Sequence, residues 1–367
     1  MAVHAPLRAQ EVPTVYDYWK LERGNASQYL YQGLSDRAFS LLEKRQGEIG
    51  KLQTQTDWQR RQAYVRQQLA KALGPFPEKT PLQPVVTGVL HKTGYSVEKL
   101  YYQSRPGYYV SAALFLPNQR AQKAPAIIFC SGHTDQGFRS ETYQQMILNY
   151  VGKGFIVLAF DPIGQGERIQ YQDTDLFKGA TKEHSYPGAQ SFLAGISPAQ
   201  YFIWDGIRSV DYLLSRPEVD PLRIGITGRS GGGTQSAYIA AVDDRILAAA
   251  PECYITSFDK LLRSNGPQDA EQNLLHALKN GLDLADLLEV RAPKPTLIVA
   301  TTRDMFSIQG ARDSYIEARK AFKAFGKIEH MNMTEDDAGH ASTLKNREST
   351  YAFFQKYLNN PGSSKDQ

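Results

Sequence analysis

Only two cysteines occur in the 367 residues, Cys130 and Cys253, each closing a hydrophobic run. A disulfide framework is excluded on that count, and buried free thiols are the expectation. There is no CxxC pair and no HExxH, so no local metal motif is present, and neither a metal nor another cofactor is expected. No apolar run approaches the ~20 residues needed to cross a bilayer. Charge of one sign is also missing: the formal net charge is +4, the charges are interspersed, and no dense Lys/Arg block or aromatic RNA-binding signature points to nucleic acid. No segment repeats and none is of low complexity. The start, MAVHAPLRAQEVPT, has no apolar h-region of a signal peptide. A leader already removed, with a periplasmic or secreted protein, and an ordinary frayed terminus both accord with it, so the compartment stays open, as does the oligomeric state.

What is present is enough apolar material, 41% of the chain, to bury a substantial core. Residues 15–73 are rich in Gln, Leu, Arg, Glu and Ala at helix-like spacing, and GPFPEKTPLQP then breaks the pattern. The expected organisation is an N-terminal helical extension and linker over residues 1–80, a catalytic domain over 81–360 and a disordered tail over 361–367. PVVTGVLH, YSVEKLYYQ and YYVSAALFLP alternate as antiparallel strands do. APAIIFC, FIVLAFD, RIGITG, ILAAAPE and PTLIVAT are nearly continuous apolar runs, most followed by a helical stretch. That is the rhythm of an α/β fold with a mainly parallel sheet and helices on both faces. SPAQYFIWDGIRSVDYLLSRPEV reads as a packing helix with Ser197 as N-cap. The stretch Glu167–Gly195, containing His184, shows no convincing periodicity and is expected to be a loop that walls the substrate.

Gly228-Arg229-Ser230-Gly231-Gly232 matches G-x-S-x-G, at a strand end and a helix start, the context that gives the motif meaning. A serine hydroxyl is a poor nucleophile unless it is held out on a tight turn where a base can take its proton. The order serine, acid, histidine is then met by Asp304, just past PTLIVAT, and by His340, in a loop before the last helical stretch. Glu252, ending ILAAAPE, is the rival acid, because neighbouring strand ends can reach one histidine. Asp336 and Asp337 are expected to shape the turn before His340. An oxyanion hole needs two amide donors, expected from Gly231 and from His133 in the turn after APAIIFC. The His133 imidazole is expected to be a wall or packing group. Arg229, beside the nucleophile, is either a cation for substrate carboxylates or half of a structural ion pair with a carboxylate such as Asp269.

GRSGG, with SGHTDQG and DPIGQGER upstream and TTRD and AGH downstream, resembles the α/β-hydrolase superfamily. GITGRSGGGTQSAYIAA, PECYITSF and GPQDAEQNL look like its bacterial carbohydrate esterases: acetyl xylan esterases, dienelactone-hydrolase-like proteins and pectin methylesterases of α/β-hydrolase type. The resemblance covers residues 84–357. It implies a serine ester hydrolase with a carbohydrate ester as substrate, using Ser230, Asp304 and His340. Ser131 stands where many members of the superfamily have histidine, a departure at the oxyanion turn. The expected reaction is removal of methyl esters from pectin-type uronic acids, with acetyl-ester hydrolysis as the alternative. A prolyl-oligopeptidase-like peptidase shares the motif, but no propeller-like repeat precedes it. A noncatalytic binding protein of this fold would normally have lost a triad member.

Overall fold

The computed structural model describes residues 28–171, 179–264, 266 and 268–367. Among the described residues two helices come first, α1 (Tyr29–Ile49) and α2 (Gln55–Leu73). A capping box starts α2: Thr54 accepts from the Asp57 amide while the Asp57 carboxylate accepts from the Thr54 amide. Trp58, Val65, Leu69 and Leu73 recur on one helical face and are buried in the same apolar cluster as Ile203, Trp204, Leu287 and Phe322. The helical extension therefore shares the core of the rest of the chain. Buried charges add to this seam: Arg45 of α1 pairs with Asp286 at 2.7 Å and with Glu317 at 2.6 Å.

Among the described residues nine strands form one sheet in the order β1-β2-β3-β5-β4-β6-β7-β8-β9. β1 (Val85–Lys92), β2 (Tyr95–Arg105) and β3 (Tyr108–Pro117) are antiparallel. β4 (Ala124–Cys130), β5 (Ile156–Phe160), β6 (Val219–Arg229), β7 (Ala248–Glu252), β8 (Thr296–Thr301) and β9 (Met331–Asp336) are parallel. Ile127 and Phe129 of β4 face one apolar layer with α3 (Glu141–Gly152), and Ala126, Ile128 and Cys130 face the other. Burial on both faces is why these runs lack polar alternation. Four more helices follow: α4 (Ala180–Leu193), α5 (Ala199–Leu214), α6 (Gly231–Val242) and α7 (Phe258–Ser264). The last three are the short α8 (Asp286–Glu289), α9 (Ile308–Ala324) and α10 (Leu344–Tyr357). With α5 and α6 on one face and α3 and α10 on the other, this is an α/β-hydrolase fold. Both cysteines are buried and free.

Four local expectations differ. The stretch expected to be a loop contains α4, whose Pro187 lies inside the helix. Its buried face is Ala180, Glu183, His184 and Gly188, not an apolar stripe, which hid its period; residues 172–178 of that stretch lie outside the described residues. β9 was not foreseen, because MNMTED is largely polar and closes the sheet at an edge. Ser197 does not cap α5; its hydroxyl donates to the Asn273 carbonyl at 2.9 Å. The last residues are not a disordered tail: Asp366 pairs with Arg347, and the Gln367 amide donates to Asn149 Oδ1 at 2.8 Å.

Candidate active site

Four strand ends of the parallel sheet meet at one place. β6 hands over to α6 at Ser230, whose backbone sits at φ 62°, ψ −124°. This region is unfavourable for any residue with a Cβ, and such strain persists only where the surroundings hold it. They do so here: the Ser230 amide donates to the Glu252 carbonyl at 2.9 Å, and the Thr234 amide to the Ser230 carbonyl at 2.9 Å. The glycines are required sterically. A Cβ on Gly228 or Gly232 would fall 2.2 Å or 2.0 Å from the Cys130 carbonyl oxygen at the end of β4. The G-x-S-x-G spacing is thus the spacing at which β6, the turn and α6 can pass against β4.

Beyond β8, Asp304 is nearly buried, and its Oδ1 lies 2.8 Å from His340 Nδ1. The same carboxylate accepts from the Phe306 amide at 3.1 Å and from the Thr301 hydroxyl at 3.2 Å. Burial pushes this carboxyl up, but the His340 hydrogen bond and charge outweigh it and hold it below its ordinary value. His340 lies in the loop after β9. That loop is fastened to the neighbouring strand ends, with Ser342 donating to Glu252 Oε2 at 2.7 Å and Arg303 N–H donating to the Ala338 carbonyl at 2.9 Å. Asp337 accepts from the Thr302 hydroxyl at 2.6 Å, a turn-holding role like the one expected of it.

Glu252, the rival acid, has its hydrogen bond to Ser342, whereas the imidazole Nδ1 is engaged by Asp304. Burial pushes the Glu252 carboxyl up to about 7, against the lowering effects of Ser342, Arg229, Arg347 and His340.

Gly231 opens α6, where first-turn amides have no intrahelical acceptor. The turn after β4 runs beside it, since a Cβ on Gly132 would fall 3.1 Å from Ser230 Cβ. Gln165 braces that turn by donating to the Gly132 and Thr134 carbonyls at 2.8 and 3.1 Å. The expected oxyanion residues, His133 and Gly231, are therefore neighbours of Ser230.

Arg229 lies with its guanidinium carbon 5.4 Å from the Tyr143 ring centroid. Its Nε is buried without a hydrogen-bond partner, and no ion pair involves it among the described residues. Asp269, suggested as its partner, faces His133 Nδ1 at 3.6 Å instead.

The His133 imidazole belongs to a cluster that sequence reasoning did not assemble. Its Nε2 lies 2.9 Å from Glu271 Oε1 and 3.1 Å from His184 Nδ1. Burial lowers the His184 pKa, but the Glu271 carboxylate prevails and raises it; the histidines in turn hold Glu271 well below the carboxylate range. The three residues come from the β4 turn, α4 and the segment after α7, and only their fold-level meeting reveals them. GPQDAEQNL, noted for its family likeness, was the one available signal for Glu271. His184 also lines a cavity of about 410 Å³ with Tyr108, Tyr201 and Phe202.

Comparison with known proteins agrees with this architecture. The family model "Acetyl xylan esterase (AXE1)" matches residues 67–281, more than half of the chain. The hydrolase-like protein YtaP of Bacillus subtilis (strain 168) is 24% identical over 310 residues, 80% of this chain and 98% of that one. Among solved structures, methylesterase BT1017 superposes with a TM-score of 0.70 at 22% identity, covering 88% of this chain and 68% of that one. A glucuronoyl esterase from Solibacter usitatus gives 0.60 at 16% identity, covering 83% and 93%. At such identities the structural likeness establishes the fold.

Proposed function

The chain belongs to the acetyl xylan esterase (AXE1) family and is by that membership a carboxylic ester hydrolase, and we propose that it removes methyl esters from uronic acids of pectin-type polysaccharide through a Ser230–His340–Asp304 triad. The observation that carries the triad is the 2.8 Å His340–Asp304 contact at the strand ends beside a serine held at φ 62°. In this reading His340 Nε2 takes the Ser230 proton as Oγ attacks the ester carbonyl. The Gly231 and His133 amides hold the oxyanion, and the imidazolium returns its proton to the departing methanol. Water, deprotonated by the same imidazole, then cleaves the acyl-enzyme and releases the uronate and Ser230.

The ester type rests on Arg229, a half-buried cation next to the nucleophile that forms no ion pair among the described residues. Polyuronates carry free carboxylates beside each methyl ester, and a charge-assisted contact is worth roughly 1.5–3 kcal/mol. Acetyl-ester hydrolysis is the second reading, favoured by the family match. The test is methanol, acetate and phenol release from methylated pectin, acetylated xylan and an aryl acetate, with wild type and Arg229→Met. The variant is expected to lose about tenfold or more in kcat/KM on pectin and less on the aryl acetate. Equal losses would make Arg229 a brace of the turn and transfer the assignment to acetyl esters.

A further inference from the structure

The His133–His184–Glu271 cluster has a geometry that hydrogen bonding alone does not satisfy. His184 Nε2 lies 2.8 Å from the Ile163 carbonyl oxygen and must carry a hydrogen there. If Nδ1 of the same ring is bare, it faces Glu271 Oε1 at 3.1 Å as one acceptor against another. If it is protonated, its N–H and that of His133 Nε2 crowd onto one carboxylate oxygen, since the two ring nitrogens are themselves 3.1 Å apart. In either case the other oxygen, Glu271 Oε2, is buried with no hydrogen-bond partner. Leaving such an oxygen unpaired in a buried carboxylate is costly.

We propose that His133 Nε2, His184 Nδ1 and Glu271 Oε1 are three ligands of a divalent transition-metal ion of the zinc class, seated beside the nucleophile turn. The separations of 2.9, 3.1 and 3.1 Å among the three donors are close to the ~3.3 Å edge of a tetrahedron with metal–ligand bonds of about 2.05 Å. An ion at that distance from all three sits about 1 Å out of their plane. Two imidazoles and one carboxylate match zinc, cobalt or nickel better than magnesium or calcium, which prefer oxygen.

One outer contact is of the kind that metal-ligating histidines use, in which the nitrogen away from the ion meets a fixed acceptor. His184 Nε2 has the Ile163 carbonyl at 2.8 Å, whereas His133 Nδ1 faces Asp269 Oδ2 at 3.6 Å, too long for a hydrogen bond. Glu271 Oε2, unpaired otherwise, is available as the second oxygen of a bidentate carboxylate. A Cβ on Gly231 would fall 3.1 Å from His133 Nε2 itself. The ion is thereby a fixed positive charge within a few ångströms of the first turn of α6. The expectation of no metal looked for ligands close together in sequence, whereas these are separated by 51 and 138 positions from His133.

The test reads metal binding, so it is independent of the ester assignment. Tag-free full-length protein is stripped with dipicolinate, and Co²⁺ is titrated while the visible d–d bands are followed; Zn²⁺ affinity is measured by chelator competition. One equivalent of Co²⁺ with four- or five-coordinate bands is expected. His184→Gln and Glu271→Gln are each expected to weaken Zn²⁺ binding by more than about a hundredfold, with thermal melts reporting that the variants are folded. Should either fail to fold, His133→Gln, at a side chain 17% exposed, gives the same readout. Failure to bind one equivalent in tenfold excess Co²⁺ would overturn the proposal. So would undiminished binding in folded variants, which would place the ion elsewhere, as on Cys253, Asp304 and His340.

Discussion

Exchanging one buried carboxylate for its amide separates the two acids at this site. Asp304→Asn replaces an acceptor 2.8 Å from His340 Nδ1 with a group that can turn its NH₂ toward the ring. Asn then favours the tautomer with Nε2 protonated, which could not take the Ser230 proton in the proposed triad. In the serine-protease triad this change lowers kcat by about 10⁴, or about 5.5 kcal/mol, and the same order is expected here because the Asp304 side chain is only 1% exposed and water cannot substitute for it. Glu252→Gln should behave differently. With its carboxyl pushed up to about 7, Glu252 is already about half neutral at pH 7, and Gln still offers Ser342 an oxygen. The expected loss is under about tenfold, or 1.4 kcal/mol. Initial rates on an aryl acetate at saturation measure both. A larger loss for Glu252→Gln than for Asp304→Asn would refute the assignment of the orienting role.

Glu252 also makes a stability prediction: the folded state binds its proton more tightly than the unfolded chain at 4.5, so stability should fall as pH rises from about 4.5 to 7. The full difference is about 3 kcal/mol, and urea unfolding of Glu252→Gln at pH 5 and pH 8 should lack it; an unchanged pH dependence would show that the carboxyl titrates normally. Ser230→Gly should abolish turnover yet unfold at the same or a higher temperature, because glycine relieves roughly 1–3 kcal/mol of strain at φ 62°. A clearly lower Tm would mean the turn is not strained. Arg45→Met removes the cation of Glu317 and leaves Asp286 with Arg61 alone, and should cost roughly 3 kcal/mol, the low end for a broken buried pair. A loss below about 1 kcal/mol in urea unfolding would detach α1 from the core.

The parallel strands and the Ser230 turn were legible because each follows from a local constraint: apolar faces on both sides, and glycines where β4 passes within a Cβ radius. The meeting of Asp304 with His340, as distinct from its catalytic use, was legible through their order along the chain and their places after strands, and His340 Nδ1 meets Asp304 rather than Glu252. β9 was hidden by its polar composition and α4 by Pro187 and a buried face built from Glu183 and His184. Glu271 was signalled only by the family likeness of GPQDAEQNL, without a role. Its meaning depends on two histidines brought to it by different elements, and no periodicity encodes such a meeting. Arg229 was left between two roles, and the geometry removes the suggested ion pair with Asp269, which turns toward His133.

The fastening of the final residues has a practical side. Arg347 donates to the Ser342 carbonyl at 2.7 Å and pairs with Asp366, while Ser342 follows His340 by two positions and bonds Glu252. The far end of the chain is therefore wired, through one guanidinium, to the segment that presents the imidazole. A substitution at Asp366, distant in sequence from Ser230, therefore acts on the segment that carries His340 through the hold of Arg347 on Ser342.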